Sequence, residues 1–258
     1  MCLPEGHFLL YIMIKNNTKK QQSDSTYQST PIKVAVLVDG GYFIKRYNVL
    51  YNTKKNKTPI DIVQDLYYIA HSHVGNNNYL YRIFFYDCEP FAKKVHNPIS
   101  KKCIDFSKTP EAERQRQIFE ELKRKRKVAL RLGTLKDCRS WNIYPSILKK
   151  LLSKEITIDK ITEKDVYYSL RQKGIDMKIA VDITSLALKR FVDKIVLIAG
   201  DSDFVPAAKL ARREGIDFVL DPMHSNHIES SLYEHIDGLK SIPLPKKKEI
   251  TTYLAQVY

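Results

Sequence analysis

The stretch Lys194-Ile195-Val196-Leu197-Ile198-Ala199-Gly200-Asp201-Ser202-Asp203-Phe204 constrains the fold more than any other part of the chain. Its five consecutive apolar residues, mostly β-branched, predict a strand buried on both faces, as in the middle of a parallel sheet. The strand breaks at Gly200 into two carboxylates and a helix over residues 204–214, with Pro206 in its first turn and Gly215 just beyond its end. In open α/β sheets the carboxyl ends of strands face a crevice where ligands bind, so Asp201 and Asp203 are candidate site residues. Aspartate before a helix is also a common N-cap, and Asp203 reads equally well as one.

A second run of this kind, Ile32-Lys33-Val34-Ala35-Val36-Leu37-Val38, hands over to Asp39-Gly40-Gly41. A short helix over 42–48, a polar loop over 51–57 and a helix over 60–70 follow, and then a strand over 79–87. The order strand, helix, strand favours a right-handed parallel crossover. Gly174-Ile175-Asp176 opens a helix to about residue 191, with Ile179, Ile183 and Leu186 on its apolar face. Asp176 falls at the sheet-facing edge of its N-terminus, while Asp182 lies about 240° round, at an edge position. A cap for Asp176 and an exposed helix charge for Asp182 are the plainer alternatives.

A further strand over 216–220 and a short helix over 230–235 complete the pattern. His224 and His227, in the loop between them, lack acidic neighbours at matching spacing and receive no ligand role. The expectation is a three-layer α/β domain over residues 32–242, with a mainly parallel central sheet flanked by helices. A helical insertion occupies about 88–174, a polar and flexible arm 1–31, and a peripheral tail 243–258.

The formal net charge of +14 points to a polyanionic partner, since a basic surface concentrates nucleic acid before any specific contact forms. The run Lys123-Arg124-Lys125-Arg126-Lys127 closes a helix over 109–126. It is either a well-placed charge at a helix C-terminus or an RNA contact, and Lys173 is a further candidate contact. Trp141 and Tyr144, near Arg139, could stack on unpaired bases or pack a lid. Four scattered cysteines form neither a zinc pattern nor a disulfide framework, which fits a reduced, cytosolic setting. The apolar run at 8–14 is too short to span a bilayer.

Taken together, Asp39, Asp201 and Asp203 leave the ends of two strands, and Asp176 enters from a neighbouring helix. Adjacent strands lie about 4.8 Å apart, so these carboxylates can converge and would repel one another without a hard cation. Mg²⁺ or Mn²⁺ suits such oxygen ligands and can assist hydrolysis of a phosphodiester. Phosphate-loop and dinucleotide glycine patterns are absent, and Asp39 lacks the second aspartate two residues on that a phosphoaspartate phosphatase needs.

Three segments carry a resemblance: Val36 to Phe43 (VLVDGGYF), Gln172 to Ile183 (QKGIDMKIAVDI) and Ile198 to Pro206 (IAGDSDFVP). They resemble the signature segments of the NYN domain family, which includes LabA-like proteins and belongs to the PIN-like nuclease superfamily. The resemblance implies a metal-dependent ribonuclease acting on RNA, with single-stranded DNA as a further substrate class. It also implies Asp39, Asp176, Asp201 and Asp203 as metal-holding catalytic residues and Asp182 as a further acidic position. Gly41 departs from the pattern, because many relatives carry Asn there. A non-catalytic nucleic-acid or protein binding module on the same fold is the alternative.

Overall fold

The computed structural model describes residues 30–50 and 57–245. The elements below belong to a compact unit that starts at Ile32. The expected arm, apart from its last two residues, most of the loop at 51–57 and the tail from 246 lie outside the described residues.

Nine strands are described: β1 (Lys33–Asp39), β2 (Tyr79–Cys88), β3 (Lys94–His96), β4 (Cys103–Asp105), β5 (Val128–Ile143), β6 (Val166–Lys173), β7 (Lys194–Ile198), β8 (Asp217–Asp221) and β9 (Gly238–Leu239). The α-helices are α1 (Gly40–Leu50), α2 (Pro59–Val74), α3 (Pro110–Arg124), α4 (Pro145–Leu152), α5 (Ile175–Leu188), α6 (Val205–Arg213) and α7 (Ser230–Tyr233). Seven strands form one sheet in the order β6-β5-β2-β1-β7-β8-β9, parallel except for the antiparallel β5–β6 pair. The expected α/β architecture is therefore present, with β1 and β7 side by side at its centre.

The alternation of side chains along β1 explains the three layers. Val34, Val36 and Val38 face one side, where they join Phe43 and Tyr47 of α1, the apolar stripe of α2, and Ile118 and Leu122 of α3. Ala35 and Leu37 face the other, against Ile179, Ile183 and Leu186 of α5 and Ala208 and Ala211 of α6. Residues 34–38 are fully buried, and side chains the size of valine or leucine contribute about 1.5–3 kcal/mol each when so buried.

Residues 88–174 differ from the helical insertion expected. They hold α3 and α4 but also β3, β4, β5 and β6. The short strand read at 128–133 is only the start of β5: Val128 to Gly133 pair with β2, and the strand then runs on past the end of β2, pairing with β6 alone. Past Gly133 the residues are polar and charged as often as apolar, so no buried run marks the strand. Its partner β6, at 166–173, supplies the ladder that holds it extended.

Candidate functional site

The sheet changes direction of winding between β1 and β7. From β1 the chain moves outward through β2 and β5, and β7 then returns to the other side of β1. Such a reversal leaves a crevice at the C-terminal ends of the two central strands. Asp39 is the last residue of β1, and Asp201 follows β7 by three residues.

Two glycines set the local geometry. A Cβ at Gly40 would stand 2.7 Å from the Tyr86 carbonyl oxygen and 2.6 Å from the Phe85 ring, so only glycine lets α1 start flush against β2. A Cβ at Gly200 would meet the Tyr42 ring at 2.3 Å. That ring lies over the turn after β7, and its hydroxyl donates to the Pro222 carbonyl at 2.8 Å. Tyr42 thus ties the turns after β1, β7 and β8 together.

Each carboxylate has a distinct local role. Asp39 Oδ1 accepts from the Tyr42 N–H at 3.1 Å. Asp201 Oδ1 accepts from the Asp203 N–H at 3.2 Å, so Asp201, not Asp203, is the N-cap of the single 3₁₀ turn Ser202–Phe204 that leads into α6. Asp176 caps nothing: the N-cap of α5 is Gly174, in the left-handed region at φ 84°, and Asp176 is exposed just inside the helix.

Burial, aided by the charges of Asp176 and Asp87 and opposed by the Tyr42 and Gly41 N–H groups, pushes Asp39 up to about 6. Asp176 is also raised, first by burial and then by the charges of Asp201 and Asp203. The charges of Asp201 and Asp203 thus act on Asp176, and that of Asp176 acts on Asp39. Among the described residues, however, no three His, Cys, Asp or Glu side chains are grouped closely enough to enclose a metal ion. Mg²⁺ keeps several waters and is commonly held by only one or two direct carboxylates, so a group of three is not a requirement for that ion.

Asp182 has other partners. It accepts from the Tyr86 hydroxyl at 2.8 Å and pairs with Arg131 Nε at 3.2 Å, which fastens α5 to β2 and β5. The basic run lies at the far edge of the sheet. Lys127 immediately precedes β5 and accepts from the Ile83 N–H, whereas the carboxylates leave the opposite ends of these parallel strands. Lys123 and Arg124 pair with Glu120 and Glu121 at 2.7 Å each, and Lys125 Nζ lies 5.7 Å from the Tyr67 ring centre. The helix-terminus reading of this run suits these contacts, and none of them reaches the crevice. Lys173, at the end of β6 opposite Thr134, is on the carboxylate side. Trp141 packs edge-on against Tyr168, and Tyr144 against Tyr167, so both aromatics brace the ribbon that carries them.

Sequence reasoning assigned no role to Asp87. It follows Tyr86, the β2 residue opposite Asp39, and is buried, with its carboxyl raised mainly by that burial. Its signal was legible: β2, like β1, is an apolar run ending in aspartate. β8 also ends in aspartate, but Asp221 is buried against His73 Nε2 at 2.8 Å and serves as a tie between α2 and β8.

A three-layer sheet with carboxylates gathered at its winding reversal defines the class, a PIN-like nuclease fold. The model of the NYN domain matches residues 102–238, more than half of the chain, and the chain belongs to that family. The match begins after β1 and β2, so Asp39 lies outside it and is joined to the matched segment by the β1–β7 pairing. NYN domains generally act on RNA, and nucleases of this kind generally use divalent metals. No curated protein sequence matches the chain. Among solved structures, a protein of unknown function from Vibrio parahaemolyticus is 17% identical with a TM-score of 0.45, covering 86% of this chain and 97% of the other. A Sir2 mutant with a p53 peptide and NAD is 8% identical with a TM-score of 0.28, covering 88% and 91%. Both likenesses are too slight to bear on fold or function.

Proposed function

We propose that the protein is a Mg²⁺- or Mn²⁺-dependent ribonuclease in which Asp39, Asp176, Asp201 and Asp203 hold the ion. The observation that supports this reading is that burial and the Asp176 charge raise the Asp39 carboxyl, while burial and the Asp201 and Asp203 charges raise that of Asp176. A hard cation relieves that repulsion, and carboxylate oxygens are the donors it prefers. When bound, the ion supplies an activated water and offsets charge on the phosphate oxygens.

The chain's own groups prepare the crevice. Asp39 and Asp201 each commit one oxygen to a backbone N–H, which fixes the carboxylate plane while the second oxygen can meet a cation. Asp39 keeps its proton to about pH 6, so loading of the ion is coupled to proton release.

RNA is the proposed substrate because basic side chains stand on the part of the β5–β6 ribbon that lies on the carboxylate side of the sheet. The β5–β6 ribbon continues past the end of β2 on the side where the carboxylates emerge, and it carries Lys136 opposite Arg171 and ends at Lys173. Such a surface tracks phosphates without reading sequence. Free thiols at Cys88, Cys103 and Cys138 accord with a reducing, cytoplasmic setting. No helix among the described residues is long and apolar enough to cross a membrane.

The test is incubation with labelled RNA and DNA in Mn²⁺ and in EDTA, for the wild type and Asp201→Asn. Asparagine is as good an N-cap as aspartate, so the variant should fold normally and lose cleavage. Undiminished hydrolysis by Asp201→Asn refutes the reading. The absence of a closed ligand trio favours one second reading, a non-catalytic binding module. That module would show no rise in melting temperature across millimolar Mn²⁺, whereas an ion-holding crevice would.

A further inference from the structure

Beside Asp39 lies a pocket of about 330 Å³ that the carboxylate chemistry does not use. Its floor is Gly40 and Gly41, the two residues that follow Asp39, and Ile44 and Ile118 give it apolar surface. The volume falls at the lower end of the range for small-ligand sites, enough for a single heterocycle with its sugar.

The polar side chains of the lining are three neutral amides, Asn48, Gln115 and Gln172, two carboxylates, Asp87 and Glu111, and Arg114. Gln172 Nε2 and Asp39 Oδ1 each lie 3.5 Å from the position a Cβ at Gly41 would take, so the amide and the carboxylate flank Gly41 together. The amide is thus supplied from the end of β6, beside the position where Gly41 carries no side chain. Gln115 Nε2 donates to Asp87 Oδ2 at 3.0 Å and to the Cys88 carbonyl at 3.1 Å. Both of its hydrogens are committed to acceptors, which fixes the orientation of the amide and leaves Oε1 as the atom able to meet a ligand. Asn48 adds a third amide. The one cation of the lining, Arg114, donates to the Lys57 carbonyl at 3.3 Å. Amides at this density suit the edge of a neutral heterocycle, as Asn and Gln do when they read bases, and suit a phosphate poorly.

We propose that this pocket receives one nucleobase of the RNA strand, that of the nucleotide adjoining the phosphate held at the carboxylates. The proposal rests on the nuclease reading of those carboxylates and deepens it: the enzyme would feel the base at one position. Gln115 Oε1, able only to accept, can meet an exocyclic amine or a ring N–H of the base.

The test is an abasic scan of a single-stranded oligoribonucleotide, with equilibrium binding measured in EDTA and cleavage measured separately in Mn²⁺. Removal of the base at one position should weaken binding roughly tenfold, with other positions nearly silent. Ile44→Trp, which fills the pocket from a lining residue other than the proposed ion-holding aspartates, should flatten the scan, and Asn48→Ala provides a smaller second change should the tryptophan unfold the chain. No binding in EDTA, a flat wild-type scan, or a position effect untouched by both variants overturns the proposal. Failure of the nuclease reading shows separately, as absent cleavage in Mn²⁺ whatever the scan in EDTA reports.

Discussion

Asp39→Asn should stabilise the metal-free protein at neutral pH and remove part of its pH dependence. Burial, with the charges of Asp176 and Asp87, pushes the Asp39 carboxyl up to about 6 from an ordinary 3.8. The native state therefore holds a proton between pH 4 and 6 that the unfolded chain has released. Stability falls as pH rises through that window and stays lower above it, opposite to the usual behaviour of a salt-bridged aspartate. A shift of roughly two units corresponds to about 2–3 kcal/mol. Asparagine resembles the protonated acid and keeps an oxygen for the Tyr42 N–H. Wild type and variant should thus be nearly equal near pH 4 and differ by about 2–3 kcal/mol at pH 7, the variant being more stable. Urea unfolding in EDTA at four pH values between 4.5 and 7.5 measures the difference directly. Asp87 and Asp176 interact with Asp39, so the difference reports Asp39 together with its coupling to them. Parallel stability curves for the two proteins would refute the inference that Asp39 is a strained anion. Added Mn²⁺ should return more stability to the wild type than to the variant.

Three further outcomes follow from particular contacts. Gly200→Ala forces the Tyr42 ring off the turn after β7 and should cost about 1–3 kcal/mol in urea unfolding; an unchanged midpoint contradicts the close approach. His73→Ala leaves Asp221 buried without its ring partner and should lower stability by roughly 3 kcal/mol, read by denaturant titration, with a loss of a few tenths counting against the tie. Asp137 is held down to about 2, first by the Tyr168 hydroxyl and then by the Arg139 N–H, so its favourable contribution is present above the ordinary carboxylate range and lost as pH falls through about 2. Tyr168→Phe should bring the Asp137 titration up toward ordinary values by NMR, and an unmoved titration would show that the hydroxyl is not the main cause.

The parts of the fold that the sequence revealed are those where burial wrote a continuous apolar run. β1, β2, β7 and β8 are such runs, and four of the residues at or just beyond their ends are Asp39, Asp87, Asp201 and Asp221. What the runs do not show is which carboxylate finds a private partner. Asp221 meets His73, which lies far away in sequence on α2, and Asp182 meets Tyr86 and Arg131 across the sheet face. The far half of β5 and all of β6 were illegible for a different reason: they are paired on one side only and half-exposed, so hydrogen bonding rather than burial keeps them extended. The basic run at 123–127 left two readings open because charge is easy to count, whereas the end of the sheet it occupies is fixed only once β5 is seen to lie parallel to β2.

The winding reversal that places β1 beside β7 also times the appearance of the crevice. Its first acidic group is at position 39 and its last at 203, and the β1–β7 pairing, from Val34 to Lys194, must close a loop of well over a hundred residues. Distant pairings of this sort form late, after shorter ones have been satisfied. A ribosome-bound stretch ending before β7 would possess strands, helices and a basic ribbon, but no assembled set of carboxylates. A chain ending there lacks β7 and, just beyond it, Asp201 and Asp203, so the proposed ion-holding set is complete only when the central sheet is.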